Sequence, residues 1–357
     1  MTLIIAEAGV NHNGDESLAH ALVDAAHQAG ADIVKFQTFR ATSLVTANAR
    51  QADYQTANTG KSESQLAMLA RLELSFEAHL SLIRRCEALG IAFLSTAFDD
   101  ESLDFLVHDL KLTTLKIPSG ELTNAPFVLR HARSGCRLIM STGMATLAEI
   151  ESALGVIAFG MTQGRDAVPG MEAFMAAYSS EEGQAALRER VTLLHCTTEY
   201  PAPMGDINLT AMDTLAQAFR LPVGYSDHSE GVTIPVAAAA RGACLIEKHF
   251  TLDRTMEGPD HKASLEPAEL AVMVKGIRDV EAALGNGIKG PCPGERKNKE
   301  VARKSLVAAC DIPQGAVLDE HNVAIKRPGS GMSPYAWWDV LGKRASHTYQ
   351  AGDLICE

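Results

Sequence analysis

The sequence has no surplus of basic residues, no closely spaced cysteines, no long apolar run and no glycine-rich dinucleotide turn, and each absence removes a class of protein. Among its 357 residues, 32 Lys and Arg stand against 44 Asp and Glu, a formal net charge of −12. A chain so charged is repelled by a phosphate backbone or an anionic bilayer, so neither nucleic acid nor membrane is expected as a partner. Any small anionic substrate must be met by local cations. The cysteines, at 86, 136, 196, 244, 292, 310 and 356, never form a C-x-x-C pair; this argues against a zinc cluster or disulfide scaffold and for the reducing cytoplasm. The most apolar stretch, Val232 to Ile246, is broken by Arg241, short of the ~18 residues of a membrane span. Nothing basic or cleavable precedes Leu3-Ile4-Ile5-Ala6, so no secretory signal is expected. After this first apolar run stands Ala8-Gly9-Val10-Asn11-His12-Asn13-Gly14, not G-x-G-x-x-G.

What is present is a repeat. A hydrophobic fraction of 46% with 21% charged residues suits a globular chain with a sizeable core. Apolar runs LIIAE (3–7), DIVKFQ (32–37), IAFLST (91–96), TLKIPS (114–119), RLIMST (137–142), TLLHCT (192–197), PVGYSD (222–227) and CLIEKHF (244–250) alternate with helical patterns. Those helices run over Glu16 to Ala29, Phe76 to Ala88, Leu147 to Ala158, Leu209 to Phe219, Thr233 to Ala240 and Pro267 to Leu284, several followed by glycine. Strands alternating with helices run parallel. Eight such units in about 285 residues fit a closed (β/α)8 TIM barrel, with a doubly wound open sheet as the alternative. Residues 40–74 read as an extended polar loop and 161–190 as a partly helical insertion, either of them an active-site wall or a surface excursion. From 286 to 302, Gly, Pro and basic residues mark a linker, and 303–357 reads as a small β-rich domain with turns at DIPQG, DEHN and QAGD.

In a parallel α/β barrel the chemistry sits at the carboxyl ends of the strands. There the sequence places Glu7, Lys35 with Gln37, Ser95 with Thr96, Lys116 with Ser119 and Glu121, Ser141 with Thr142, His195, Ser226 with Asp227 and His228, and Glu247 with Lys248 and His249. So many ionisable groups in a barrel mouth need partners, because an unpaired buried charge costs several kcal/mol. His228 and His249, at the ends of neighbouring strands beside Asp227 and Glu247, could hold one divalent ion with positions left open, or could be hydrogen-bonded barrel histidines. Lys35 and Lys116, with nearby hydroxyls, suit a phosphate site; alternatively a buried lysine could form an imine.

Taken in order, IIAEAGVNHNG, ADIVKFQTF, FLSTAFD, LKIPSGELTNAPFV, IMSTGMATLAEI, LLHCTTEYPAP, VGYSDHSEG, IEKHFTLDRTMEGPDHKASLEP and IKRPGSGMSP resemble, nearly end to end, the sialic acid synthase family: N-acetylneuraminate synthase and its legionaminic and pseudaminic relatives. The resemblance implies a (β/α)8 barrel, a linker and a small antifreeze-like (SAF) domain, in a domain-swapped homodimer. It implies condensation of phosphoenolpyruvate with an open-chain N-acylated hexosamine to give a nonulosonic acid and phosphate. Carried over motif by motif, His228 and His249 would hold Mn2+, with Mg2+ or Co2+ as substitutes. Lys35, Thr96, Lys116, Ser119, Ser141, Ser226 and Lys304 would bind phosphoenolpyruvate. Glu121, Tyr200, Asp260 and Arg327 would face the sugar, Arg327 from across the dimer, and Glu7 and Glu247 would handle protons in an order left open. Two departures stand out: Thr198 occupies a position where some members carry Asn, and 161–190 is longer than in the shortest members, which could alter loops near the sugar. The expected acceptor is N-acetylmannosamine, with a diacetamido-trideoxyhexose of the legionaminic type as the alternative and the pseudaminic type behind it. A keto-acid aldolase, another phosphoenolpyruvate-condensing synthase or a non-catalytic carbohydrate-binding protein are the rival readings.

Overall fold

Eight short strands, each too apolar on its inner face to stand alone, bury that face by closing on one another. The computed structural model describes residues 1–60 and 63–357, and the chain divides into two compact units, Met1–Gly285 and Asn286–Glu357. In the first, strands β1 (Leu3–Gly9), β2 (Ile33–Thr38), β3 (Ala92–Ala97), β4 (Thr114–Ile117), β5 (Arg137–Ser141), β6 (Val191–Cys196), β7 (Val223–Asp227) and β8 (Leu245–His249) form a closed parallel barrel, β8 pairing back onto β1. All eight lie within two residues of the runs expected from sequence. The open sheet is excluded.

The helices follow from local signals. Glu16–Gln28 is capped by Asp15, whose carboxylate accepts from the N–H groups of Ser17 and Leu18; Phe76–Leu89 starts on Ser75 and stops at Gly90 in the left-handed region, φ 77°. Thr146 and Glu149 close a capping box at the start of Leu147–Thr162. Among the helices that escaped the periodicity is Ala125–Arg133, started by Asn124, with Pro126 in the first turn, where no N–H is needed.

Residues 40–74 and 286–302 depart from expectation, whereas 161–190 is the partly helical insertion expected. Residues 40–74 are not an extended loop but carry three short helices, Ala41–Leu44, Asp53–Thr59 and Gln65–Ala70. The 161–190 insertion forms Met171–Ser179 and Glu181–Arg190; the first packs on the outer helix Leu147–Thr162, with Phe174 edge-on to Phe159 at 5.3 Å. The 286–302 linker contains a ten-residue helix, Pro293–Ala302, because Glu295 accepts from the Cys292 N–H and fixes its first turn. In the second unit, β9 (Ser305–Ala308) pairs antiparallel with β10 (Val323–Lys326) over a small core that includes Leu306, Ile312, Leu318, Val323 and Tyr349. No helix among the described residues is long and apolar enough to cross a membrane.

Inside the barrel, Ile5, Leu94, Ile139, Leu194 and Leu245 form a dry layer, each side chain contributing roughly 1.5–3 kcal/mol on burial. Because inward side chains recur every second residue, the next positions along these strands form a second layer nearer the strand ends. These are Glu7, Thr96, Ser141, Cys196 and Glu247, joined by Lys35, Lys116 and Ser226 from the other three strands. The layer that carries chemistry therefore rests on an apolar floor.

Outside it, four histidines are buried in neutral form. His79 Nδ1 donates to the Ser75 carbonyl and His131 Nδ1 to that of Phe127, whereas His12 Nδ1 accepts from the Gly14 N–H. Burial lowers His12 to about 3, His131 and His261 to about 4, and His79 below its ordinary value. Below the unfolded value of about 6.5 the unfolded chain takes up protons that the fold refuses, so stability falls as pH drops from about 6.5 toward 4. Thermal midpoints at pH 7.5 and pH 5.0 check this: the midpoint should drop by several degrees, and an unchanged midpoint would refute the assignment of neutral buried imidazoles.

Candidate active site

At the carboxyl ends of the strands, four charges from four strands meet out of contact with bulk water. Lys35 Nζ lies 2.8 Å from Glu7 Oε2 and 3.3 Å from Glu247 Oε2, while Lys116 Nζ donates to both Glu247 oxygens at 2.8 and 2.9 Å. All four residues are at most 4% exposed. The register explains the meeting: Glu7 stands opposite both Lys35 on β2 and His249 on β8. Thr96 pairs with Lys116 and Ser226 with Glu247.

The two carboxylates differ. Burial raises Glu7 to about 7, with Lys35 opposing and Glu247 adding to the rise. Burial acts on Glu247 in the same sense, but Lys116, Lys35 and the Ser226 hydroxyl, which donates to Oε1 at 2.8 Å, together hold it well below the usual carboxylate range. For Lys35 the same burial is outweighed by Glu247 and Glu7, so it is raised; Lys116 is lowered, burial prevailing over Glu247.

Beside this quartet stand His228 and His249, ring centroids 5.6 Å apart. His228 Nδ1 faces the Thr197 carbonyl at 2.5 Å; a carbonyl can only accept, so Nδ1 carries the proton and Nε2 keeps its lone pair. His249 Nδ1 is buried with no hydrogen-bond partner among the described residues, 3.9 Å from Asp260 Oδ2. Burial lowers His228 to about 4 and, with His228 and Lys35 adding to it, His249 well below its ordinary value; Asp260 is raised to about 6 by burial. Two neutral imidazoles, one with an orphaned nitrogen, fit a divalent cation. No group of three or more His, Cys, Asp or Glu among the described residues is arranged to hold an ion; a cation held by the two imidazoles alone would keep its other positions for water and substrate.

The hydroxyls complete the floor. Lys35 donates to Thr96 Oγ1 at 3.1 Å, Gly143 N–H donates to Ser119 Oγ at 3.0 Å, and Ser141 Oγ is buried without a partner among the described residues. Two glycines let the backbone come this close. At Gly9, φ 53° and a break in the β1–β2 register turn the chain where a Cβ would sit 3.3 Å from Glu7 Oε1. At Gly143 a Cβ would collide with Thr198 Oγ1 at 2.2 Å.

Thus Glu7, Lys35, Thr96, Lys116, Ser119, Glu121, Ser141, Tyr200, Ser226, His228, Glu247, His249 and Asp260 all line one cavity of about 340 Å³. Tyr200 lies against His228, rings 4.0 Å apart. Glu121 accepts from Asn124 Nδ2 at 2.7 Å. Lys304 and Arg327 belong to the second unit and are exposed there, Arg327 Nε donating to the Ala302 carbonyl. Five other candidates turn away, Thr142 among them, its hydroxyl donating to the Leu194 carbonyl at 2.9 Å. Asp227 and Lys248 pair with each other at 2.6 Å on the opposite strand face, so Asp227 does not stand beside the histidines toward a metal. Ser95 bonds Thr38, and His195 Nε2 bonds the Ile207 carbonyl. Nothing from 161–190 lines the cavity, so the insertion does not shape it. The sequence reading missed Cys196, whose Sγ lies 3.2 Å from Ser119 Oγ, and the wall built by Leu44, Met68, Leu69 and Leu72. The apolar spacing at 66, 69 and 72 was the available signal for that wall.

A model of the NeuB family matches residues 22–289. The chain belongs to the NeuB family. A SAF domain model matches residues 303–356, so the second unit contains a SAF domain. Among NeuB relatives, the N,N'-diacetyllegionaminic acid synthase of Campylobacter jejuni is 48% identical, covering 100% of this chain and 99% of the relative. That of Legionella pneumophila is 44% identical, covering 99% and 92%. The N-acetylneuraminate-9-phosphate synthase of Homo sapiens is 32% identical, covering 99% and 91%. Among solved structures, the N-acetylneuraminic acid synthetase of Leptospira borgpetersenii superposes with a TM-score of 0.65 at 33% identity, covering 83% of this chain and 90% of that one.

Removing one member of the NeuB quartet strands its partner. Lys116→Met leaves Glu247 buried with a single, longer lysine contact, and a cost of about 3–5 kcal/mol is expected. The double variant Lys116→Met/Glu247→Leu should recover most of it. Urea unfolding of the three proteins at pH 7 decides; a single variant as stable as the parent would show that the pair is not the constraint described.

Proposed function

We propose that the chain, a nonulosonic acid synthase by family, condenses phosphoenolpyruvate with an open-chain 2,4-diacetamido-2,4,6-trideoxyhexose to give a legionaminic-type acid and phosphate. The observation that carries the synthase reading is the buried Lys35–Glu7–Glu247–Lys116 quartet opening onto two neutral histidines. The choice of acceptor is supported by the relatives: those 48% and 44% identical over the whole chain are N,N'-diacetyllegionaminic acid synthases, whereas the human N-acetylneuraminate-9-phosphate synthase stands at 32%. N-acetylmannosamine, the first expectation from sequence, becomes the second reading.

In this reading Lys35 and Lys116 receive the phosphate and carboxylate of phosphoenolpyruvate, with Thr96, Ser119, Ser141 and Ser226 orienting its oxygens. Ser141 brings an unspent hydroxyl to that task. A divalent cation such as Mn2+, held by His228 and His249, would polarise the acceptor aldehyde. C3 of phosphoenolpyruvate attacks that aldehyde carbon, water adds at C2, and phosphate leaves with cleavage of its C–O bond. The order of the two glutamates, open in the sequence, now has a physical basis. Glu247 is locked as an anion by Lys116, Lys35 and Ser226, so it positions the lysines. Glu7, raised to about 7, is the group able to take the proton of the water near neutral pH. Glu121, Tyr200 and Asp260 face the sugar. The reading also carries forward a homodimer in which Lys304 meets phosphoenolpyruvate and Arg327 acts at the partner's site.

Phosphate release from phosphoenolpyruvate with Mn2+ tests the reading directly. Release with 2,4-diacetamido-2,4,6-trideoxymannose should exceed that with N-acetylmannosamine; the reverse order would hand the assignment to the second reading, and release with neither would end both. With Glu7 as base, kcat/KM should rise with pH and level off above about 7. Glu7→Gln should be at least ~100-fold slower and lose that limb; a retained limb would assign it to another group.

A further inference from the structure

The cavity has two faces of opposite character, and the charged floor accounts for only one of them. Over β1–β3 the lining is mainly apolar, Val10, Leu44, Met68, Leu69, Leu72 and Phe98, with Gln37, Gln55 and Gln65 beside them. With Phe39, which meets Phe98 edge-on at 6.3 Å, these residues form a hydrophobic cluster of their own, separate from the barrel core. Val10, Met68 and Leu72 are at most 7% exposed, while Leu44, Leu69 and Phe98 stay half-open toward the cavity. Three of the six come from the stretch that holds the short helix Gln65–Ala70.

Phosphoenolpyruvate has no use for such a surface. Its phosphate and carboxylate need the lysines and hydroxyls, and its one methylene must face the aldehyde. The aldehyde end of the acceptor belongs with the histidines. What remains is the far end of the acceptor, and there the candidate sugars differ: N-acetylmannosamine carries a hydroxyl at C6, the trideoxy sugar a methyl. A hydroxyl pressed on the Met68–Leu69 patch loses its water and gains no partner from those side chains, whereas a methyl loses nothing. From the wall we infer that Met68 and Leu69, backed by Leu72 and Phe98, are specificity-determining residues that seat the C6 methyl of a 6-deoxy acceptor. The inference rests on the diacetamido reading above and deepens it.

The full-length enzyme with Mn2+ is assayed for kcat/KM on 2,4-diacetamido-2,4,6-trideoxymannose, on its 6-hydroxy counterpart and on N-acetylmannosamine. The parent should favour the 6-deoxy sugar over its 6-hydroxy counterpart by about tenfold, the scale on which an apolar pocket discriminates one small group. Leu69→Gln, at a half-exposed position, should reduce that ratio at least about fivefold, mainly through KM of the 6-deoxy sugar. Met68→Gln should act in the same direction and Met68→Leu should restore the parent ratio, with melting curves confirming that each variant is folded. Equal use of the two diacetamido sugars by the parent would overturn the inference and leave the diacetamido reading standing, as would a folded Leu69→Gln enzyme with an unchanged ratio. Turnover of N-acetylmannosamine alone would remove both.

Discussion

Two lysines and two glutamates cannot be buried singly, and that constraint organises the first unit. Each would face a desolvation cost of several kcal/mol without a partner. Glu7, Lys35, Lys116 and Glu247 escape it only if β1, β2, β4 and β8 bring their carboxyl ends together. The quartet spans the line where β8 pairs back onto β1, the contact that turns a sheet into a barrel. Closure and charge pairing are therefore the same event, and the apolar layer of Ile5, Leu94, Ile139, Leu194 and Leu245 beneath it excludes the water that would weaken both.

The quartet also separates the roles of chemically identical groups. Glu247 has three donors on its two oxygens and stays ionised; Glu7 has one lysine neighbour and the full effect of burial. Their pKa values are pushed apart by environment alone, the usual way in which one site holds a fixed anion and a proton acceptor together. The histidines are kept neutral by the same dry surroundings, reinforced by Lys35 close to His249. The net charge of −12 is thus no obstacle to an anionic substrate, because the cations that matter are concentrated where the low dielectric makes them count.

Much of this was legible in the sequence because it obeys a period. Strands two residues deep in apolar side chains, followed by Glu7, Lys35, Thr96, Lys116, Ser141 and Glu247, announce an inward face ending in polar groups. What the period did not yield was its phase at every position. Asp227 and Lys248 lie one residue beyond Ser226 and Glu247, and one residue is enough to send a side chain to the other face. They satisfy each other among the outer helices, as Ser95 does with Thr38, whose hydroxyl also bonds His79. The helices at 41–70 were missed for a different reason. Each is shorter than two turns, too short for amphipathic spacing to speak; Leu44 in the first and Met68 and Leu69 in the third pack in one cluster with Val10 and Phe98, and Asn58 in the second donates to the Pro259 carbonyl. The helix at Pro293–Ala302 was hidden by its glycine- and proline-rich surroundings, although Pro293 is well placed at a helix start.

The separateness of the apolar cluster has a consequence for how such a site can change. Floor and wall share a cavity but not a core: the floor is fixed by barrel register, where any substitution disturbs a neighbour strand, whereas the wall rests on short helices after β2. A change of volume at Leu44 or Leu69 is absorbed within that small cluster and need not reach the quartet. In the proposed reading, chemistry and acceptor choice are then under separate physical control, the first by paired charges that cannot be altered one at a time, the second by dispersion contacts that can.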